Sequence, residues 1–139
     1  MVASAPSMDA AQALADLTEI SSQIRAAVLF DESGEVAAST LDDEGRSHEL
    51  AQAAVELLGA AEELRTGADG ELSQLEAATA EGSVFVVRQG ARRIVATTSP
   101  EPTVGLVFYD LKSCLRGIDE EKPRRRAPRK KKTEAEASE

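Results

Sequence analysis

Aromatic side chains are scarce in this sequence of 139 residues, which has three Phe, one Tyr and no Trp. Proteins that bind single-stranded nucleic acid by stacking its bases need a series of exposed aromatic rings. This composition can barely supply one such series, so that class of binder is disfavoured. Hydrophobic residues nevertheless make up 42% of the chain, which is enough for one core of aliphatic and alanine side chains.

The sequence is equally poor in the residue types that build disulfides and metal sites. It has one cysteine, Cys114, and one histidine, His48. A single cysteine cannot form a disulfide within the chain, and a zinc site recruits several ligands close together. We therefore expect no metal and no cofactor, and a reducing compartment.

Segments that would direct the chain into a membrane are also missing from the sequence. Residues 1–12 lack the basic start and the apolar stretch of a signal peptide. No apolar run approaches the roughly 20 residues that a membrane-spanning helix needs. We expect a cytoplasmic protein.

The net charge of −9 hides a basic segment near the end of the chain. Residues 119–139 carry eight basic and six acidic side chains, whereas residues 1–118 carry eight basic and nineteen acidic ones. In the basic segment no apolar side chain is larger than Ala or Pro, so burial cannot offset the entropy lost on ordering. We predict one domain at 8–118, with disordered residues at 1–7 and 119–139.

The apolar pattern predicts eight secondary-structure elements, in the order helix, two strands, helix, three strands, helix. Loops rich in Gly, Asp and Glu separate neighbouring strands by only a few residues, which indicates antiparallel hairpins. The predicted fold class is therefore α+β, with a five-stranded antiparallel sheet flanked by helices. The predicted strands span 24–30, 36–40, 72–79, 83–88 and 92–98, and the helices span about 8–22, 48–64 and 103–117.

An acidic turn, Asp31–Gly34, follows the first predicted strand. That strand is apolar in both of its alternating sets, which is typical of a strand covered on both faces. An Asp side chain can bond the amides that follow it, and Gly tolerates a positive φ. Because no His, Lys or further acidic cluster accompanies Asp31 and Glu32 in the sequence, we interpret them as a hairpin corner and not as a site.

The second predicted helix is the most informative element. At about 100° per residue its apolar residues cover an arc of roughly 220°, about twice the width that a helix on a single core requires. This width predicts a second partner for the helix. The residues expected at that contact are Leu50, Ala53, Ala54, Leu57, Leu58, Ala61 and Leu64.

Four segments together resemble the roadblock family of dynein light chains and their bacterial relatives. They are ALADLTEI at 13–20, IRAAVLFDESGEVAAST at 24–40, ELAQAAVELLGAAEEL at 49–64 and SVFVVRQGARRIVATT at 83–98. The resemblance covers residues 8–118 and implies a profilin-like fold. It also implies a scaffold without catalytic residues that forms homodimers, by joining edge strands and long second helices, and binds small Ras-like GTPases. Some bacterial members accelerate GTP hydrolysis by reshaping the GTPase's own catalytic residues, and others are adaptors.

Residues that could carry chemistry occur singly. The chain lacks GxxxxGK[ST], so it would bind a GTPase and not be one. We interpret His48 as a solvated residue near a helix start, because metal sites usually recruit their ligands in clusters. We interpret Cys114 as core packing, because no base that could activate it is evident in the sequence. For Arg92 and Arg93 two roles stay open, a strand-end charge or an arginine finger supplied to a GTPase. No catalytic residue is predicted.

The basic segment of the C-terminal tail leaves several partners open. It could bind nucleic acid, an anionic membrane, or the acidic body of its own dimer or of a partner, and the first two attachments weaken with salt. It could also serve only for solubility. The alternative function is thus a nucleic-acid-associated or membrane-associated protein whose domain serves for dimerisation. The candidate contacts are Lys122, Arg124, Arg125, Arg126, Arg129, Lys130, Lys131 and Lys132.

Overall fold

The computed structural model describes the backbone of residues 5–65 and 72–126, and the side chains of 10–65 and 72–118. The described part contains three helices and five strands in the predicted order, which confirms the α+β class. The elements are α1 (Ala5–Ile20), β1 (Ile24–Asp31), β2 (Val36–Ser39), α2 (Glu44–Leu64), β3 (Gln74–Thr79), β4 (Gly82–Gln89), β5 (Arg92–Thr98) and α3 (Val104–Arg126).

The first helix begins and ends earlier than predicted, with its last residue at Ile20 instead of 22, and the last helix is longer than predicted. Helix α1 begins at Ala5, which places Pro6 in its first turn. A proline is tolerated there, because its missing N–H would have no partner within the helix. Helix α3 continues to Arg126, past the predicted end near Gly117. Of residues 119–126 only the helical backbone is described. The predictions for residues 127–139, including Arg129, Lys130, Lys131 and Lys132, lie outside the described residues.

Helix α2 begins four residues earlier than the predicted start at His48, and Asp43 is its N-cap. The Asp43 side chain accepts hydrogen bonds from the backbone N–H groups of Gly45 (2.8 Å) and Arg46 (3.3 Å). Such a cap satisfies two of the amides that have no partner within the helix. Capping thus explains the acidic residue directly ahead of α2.

The five strands form one antiparallel sheet in the order β2-β1-β5-β4-β3. The central strands pair through their apolar residues, with Leu29 opposite Ile94 and Val86 opposite Val95. A register shift between Leu29 and Phe30 interrupts the pairing of β1 with β2. Strands β2 and β3 are the two edges of the sheet.

One face of the sheet is covered by α1 and α3, which pack side by side. Leu17 of α1 and Leu111 of α3 are buried on this face together with Phe85 of β4. The Phe85 ring meets Phe108 of α3 edge to face, with ring centroids 5.0 Å apart. Where α3 begins, the backbone N–H of Thr103 donates to the Gln23 side chain (2.6 Å), which ties the helix to the start of β1.

Of the described helices, only α2 covers the opposite face of the sheet. Ala51, Ala54 and Leu58 of this helix pack on Val28 and Val86 of the sheet. The helix contacts β1, β2 and β5, and it leaves the β3 side of the sheet only partly covered. This face therefore has a smaller core than the face beneath α1 and α3.

The turn after β1 is built as predicted. The Asp31 carboxylate accepts hydrogen bonds from the Ser33 hydroxyl (2.7 Å), the Ser33 N–H (2.9 Å) and the Glu35 N–H (3.0 Å). Led by the Ser33 hydroxyl, these bonds lower the pKa of Asp31. Gly34 has a φ of +92°, and a Cβ there would lie 2.5 Å from the Gln52 amide nitrogen. The acidic turn is a structural corner, and one carboxylate oxygen of Asp31, Oδ1, accepts all three of these bonds.

Candidate interaction surface

Helix α2 turns one stripe of residues toward the sheet. The buried stripe consists of Ser47, Ala51, Ala54 and Leu58, and the Ser47 hydroxyl lies 2.6 Å from the Ser39 hydroxyl of β2. Ala54 and Leu58 were predicted to contact a partner, but they are only 1% and 5% exposed within this chain. They belong to the core of this chain. The sequence could not show this, because the apolar arc does not reveal which part of it faces the sheet.

The remaining predicted contacts lie along the flank of α2 that looks toward β4 and β3. Leu50, Leu57 and Ala61 are half-buried, Ala53 is exposed, and Leu64 is 84% exposed. Five of the seven predicted residues therefore stay accessible. The second partner inferred from the width of the apolar arc would meet α2 on this flank.

A groove runs beside this flank, between α2 and the sheet, with a volume of about 430 Å³. Its floor is formed by Ala77 of β3, Val84 of β4 and Val95 of β5, none of which was predicted to belong to a site. Strand alternation places these side chains on one face, but only the position of α2 shows that Ala77 and Val84 are half-buried while Val95 is fully buried. The groove is lined by Leu50, Ala53, Ala54, Glu56, Leu57, Ala60, Ala77, Val84 and Val95.

The C-terminal end of α2 is fastened beside the groove by charged residues. The Glu62 carboxylate accepts hydrogen bonds from Arg65 (2.9 Å), from Arg88 of β4 (2.6 Å) and from the backbone N–H of Leu72 (3.0 Å). The bond from Leu72, followed by the one from Arg88, lowers the pKa of Glu62. These contacts join the end of α2 to Leu72 and to β4 of the sheet.

The two sheet edges differ in how they are covered. Both α1 and α2 contact β2, which has only four residues and a register shift in its pairing with β1. Strand β3 has six residues in regular register with β4, from Gln74 opposite Val87 to Thr79 opposite Gly82. A regular edge presents unpaired backbone N–H and C=O groups that can pair with another strand. Beside the groove, β3 is therefore the edge suited to strand addition.

The residues considered for chemistry are not brought together. His48 is exposed and lines a cavity of about 410 Å³ with Glu44 and Gln52. Over the described ranges no three His, Cys, Asp or Glu side chains are close enough to hold a metal ion. Arg93 donates to the Gly90 carbonyl (3.1 Å), and Arg92 stands opposite Asp31 at the end of the β1 and β5 pair. The arrangement is that of a strand end.

Cys114 lies in the core, as predicted from its apolar neighbours on α3. Burial and, second, the negative charge of Asp16 raise its pKa to about 12. A thiol with so high a pKa is protonated at neutral pH and is a poor nucleophile.

Of the described helices, none combines the length and apolar character needed to cross a membrane.

No protein-family model and no curated protein matches the chain. Comparison with solved structures does identify its fold. A Roadblock/LC7 domain from Streptomyces avermitilis matches with a TM-score of 0.63 and 19% identity, over 71% of this chain and 85% of that one. The gliding protein MglB from Thermus thermophilus matches with a TM-score of 0.71 and 17% identity, over 84% and 90% of the two chains. For Myxococcus xanthus MglB the TM-score is 0.68 and the identity 16%, over 82% and 87%. This chain has the fold of a Roadblock/LC7 domain.

Proposed function

We propose that this chain is a homodimeric, non-catalytic regulator or adaptor of a small Ras-like GTPase. The observation that carries the proposal is the open apolar groove beside α2, on a fold shared with Roadblock/LC7 domains and with MglB. An apolar groove next to a regular edge strand is costly to leave in water and is typical of a protein interface. The resemblance to the roadblock family supplies the class of partner.

In the proposed dimer, two copies meet through the β3 edge and the accessible flank of α2. Pairing of the two β3 strands would continue the sheet and bring the two grooves together. Leu57 of one copy then fills space over the partner's groove, and the small side chains of Ala53 and Ala60 allow the two α2 helices to approach closely. The proposal assigns to this contact the accessible residues Leu50, Ala53, Leu57, Ala61 and Leu64, together with the groove floor.

The dimer is tested by light scattering on the full-length chain and on Leu57→Asp. A charge at this position would be buried without a partner in the dimer, so we expect its dissociation constant to rise by about a hundredfold or more. Because Leu57 is only half-buried in one chain, the circular dichroism spectrum should stay that of a folded protein.

Gly59→Asp is the matched control for Leu57→Asp. Gly59 is exposed on the same helix, and a Cβ added there would meet no described atom within 4 Å. It brings the same charge but lies away from the groove, so dimerisation should be unchanged. A wild-type chain that is monomeric at micromolar concentration would contradict the proposal, as would equal weakening by the two variants.

The effect on a GTPase would come from contact rather than from a group supplied by this chain. No cluster able to hold a metal occurs in the described ranges, and the P-loop motif is missing from the sequence. A dimer could accelerate hydrolysis by holding the GTPase's own residues and its Mg²⁺ in the productive arrangement. An adaptor would bind one nucleotide state without changing the rate of hydrolysis.

Single-turnover hydrolysis distinguishes these roles, using the small Ras-like GTPase whose gene lies nearest to that of this chain. The GTPase is loaded with GTP and mixed with an excess of the full-length chain. A faster reaction identifies a regulator, and nucleotide-dependent binding at an unchanged rate identifies an adaptor. If the chain binds neither the GTP form nor the GDP form of this GTPase, the proposed partner is wrong, whereas the dimer is judged by light scattering alone.

A further inference from the structure

A second groove lies on the other side of the molecule, between α1 and α3. Its volume is about 390 Å³, and it lies on the opposite face of the sheet from the groove beside α2. Ile20 and Tyr109 stand at its rim and are 73% and 63% exposed. Asp16 and Asp110 line it from the two helices. The groove thus combines exposed apolar surface with two carboxylates.

Asp110 is the unusual residue of this groove. It is only 8% exposed, among core residues such as Val107 and Leu111. Its carboxylate makes no hydrogen bond or ion pair with any residue that the structure describes, and its oxygens are not fully buried, so they face the solvent in the groove. A cation that enters the groove would meet a carboxylate without a competing protein partner, and a charge-assisted pair is among the stronger polar contacts.

Asp16 adds a second negative charge to the same groove. Its carboxylate accepts a hydrogen bond from the side chain of Gln12, one helical turn earlier on α1 (3.0 Å). Its charge also reaches Cys114 on the floor of the groove, since it contributes to the raised pKa of that thiol. The groove therefore offers carboxylates from both helices to one ligand.

We propose that this groove binds the basic tail segment 127–132 of a second copy of the chain. The segment has the sequence APRKKK, with one Arg and three Lys in succession. An arginine can form a bidentate pair with a carboxylate and stack on an aromatic ring at the same time. Arg129 matches Asp110 and Tyr109 in this way, and the following lysines match Asp16.

The length of the chain favours the tail of a second copy over the tail of the same copy. Between Asp110 and Arg126, α3 rises about 24 Å at roughly 1.5 Å per residue. Residues 127–129 span at most about 11 Å when fully extended. A tail folding back along its own α3 would therefore leave Arg129 short of Asp110 even with the arginine side chain extended, whereas a tail from another copy has no such limit. The exchange links copies through a surface separate from the groove beside α2.

Peptide binding to the full-length chain tests the groove. A fluorescein-labelled peptide of residues 122–132 is titrated with wild type, with Asp110→Asn and with the control Asp42→Asn, an exposed residue outside the groove. We expect the affinity to fall at least about tenfold in Asp110→Asn, because a charge-assisted pair is lost, and to be unchanged in Asp42→Asn. Equal affinities for wild type and Asp110→Asn, or equal losses in the two variants, would overturn the assignment.

Assembly of the full-length chain tests the link between copies without altering the groove's core. Arg129→Glu combined with Lys130→Glu changes only the tail, and Tyr109→Ala changes only an exposed rim residue. Sedimentation at low salt should show larger species for wild type than for either variant, and about 0.5 M salt should abolish the difference. If all three sediment alike, or if the tail variant loses only binding to duplex DNA or to anionic vesicles, the tail has another partner and the proposal is wrong.

Discussion

The two faces of the sheet are closed to different degrees. Among the residues whose side chains are described, fifteen buried residues form one core beneath α1 and α3, and three partly buried apolar residues adjoin it. In the same described ranges seven residues are buried beneath α2, and eight partly buried apolar residues surround them. Two helices are wide enough to cover a five-stranded sheet, whereas one helix is not. The difference places the unsatisfied apolar surface beside α2, at the β3 edge.

The two faces therefore differ in the role of their apolar residues: those of the closed face are buried within the chain, and some of those on the open face stay accessible to a partner. Leu111 and Leu57 are both leucines on a helix that packs against the sheet, yet Leu111 is fully buried and Leu57 is half-buried. The closed face should therefore determine the stability of one chain. The open face should determine what the chain binds.

The largest expected effect comes from truncating the closed face. Leu111→Ala removes a fully buried side chain and leaves a cavity, which typically costs about 2–5 kcal/mol of unfolding free energy. Leu57→Ala should cost much less in a single chain, because much of its surface is already in contact with water. Urea denaturation at a protein concentration below the dimer dissociation constant measures both. Equal costs would show that the two faces are closed to the same degree.

A medium effect is expected at the turn that carries the open edge. Gly82, the first residue of β4 after the turn from β3, has a φ of +152°, and a Cβ there would collide with the backbone carbonyl oxygen of Thr98. Gly82→Ala should therefore cost about 1–3 kcal/mol and loosen β3, which is hydrogen-bonded only to β4 in the described sheet. Hydrogen exchange should show faster exchange in β3 while the protection of α3 is kept. Gly90→Ala is the control, because a Cβ there meets no described atom within 4 Å, although its φ of +62° still strains an alanine.

The smallest expected effect is a pH dependence of stability. It comes from the hydrogen-bonded carboxylates of Glu62 at the end of α2 and Asp31 in the turn after β1. Hydrogen bonds lower the pKa of Glu62 below its model-compound value of 4.5, and that of Asp31 below 3.8. A lowered pKa stabilises the fold above the unfolded-state pKa, and this stability is lost as pH falls through the folded-state pKa. Wild type should therefore lose thermal stability below about pH 4.5.

Glu62→Gln and Asp31→Asn test this dependence by melting temperatures between about pH 7 and pH 2. Each variant should be slightly less stable than wild type at neutral pH, and each should lose less stability on acidification. Asp42→Asn serves as the control because its side chain is exposed and lies outside both hydrogen-bonded groups. A variant curve parallel to that of wild type would contradict the assigned contacts.

The fold could be predicted from the sequence because its local signals agree with one another. Alternation in Ile24–Phe30, the Asp31–Gly34 turn and the periodicity of the second helix each point to the observed elements. Helix ends were less accurate, since several residues could cap α2 and only the hydrogen bonds of Asp43 show which one does. Alternation and periodicity report on a whole segment, whereas a helix end depends on a few local contacts.

The candidate site was predicted only in part, for a geometric reason. The wide apolar arc of α2 indicated two contacts, but it did not show that Ala54 and Leu58 serve the core and that Leu57 faces the groove. The floor at Val84 and Ala77 comes from strands distant in sequence, so no local pattern could join it to the helix. Asp110 was hidden in the same way, because its unpaired carboxylate is recognised only from the packing of α1 against α3.

The sequence by itself determined the order of elements, the antiparallel sheet, the amphipathic stripes and the contrast between an acidic domain and a basic segment. These properties depend on near neighbours along the chain, where spacing sets which residues share a face. Only the tertiary structure decided which apolar side chains are closed off, which edge is regular and open, and which carboxylates line the groove between α1 and α3. Those properties depend on how distant segments pack, and five strands covered by two helices on one face and one on the other leave their open surface beside α2.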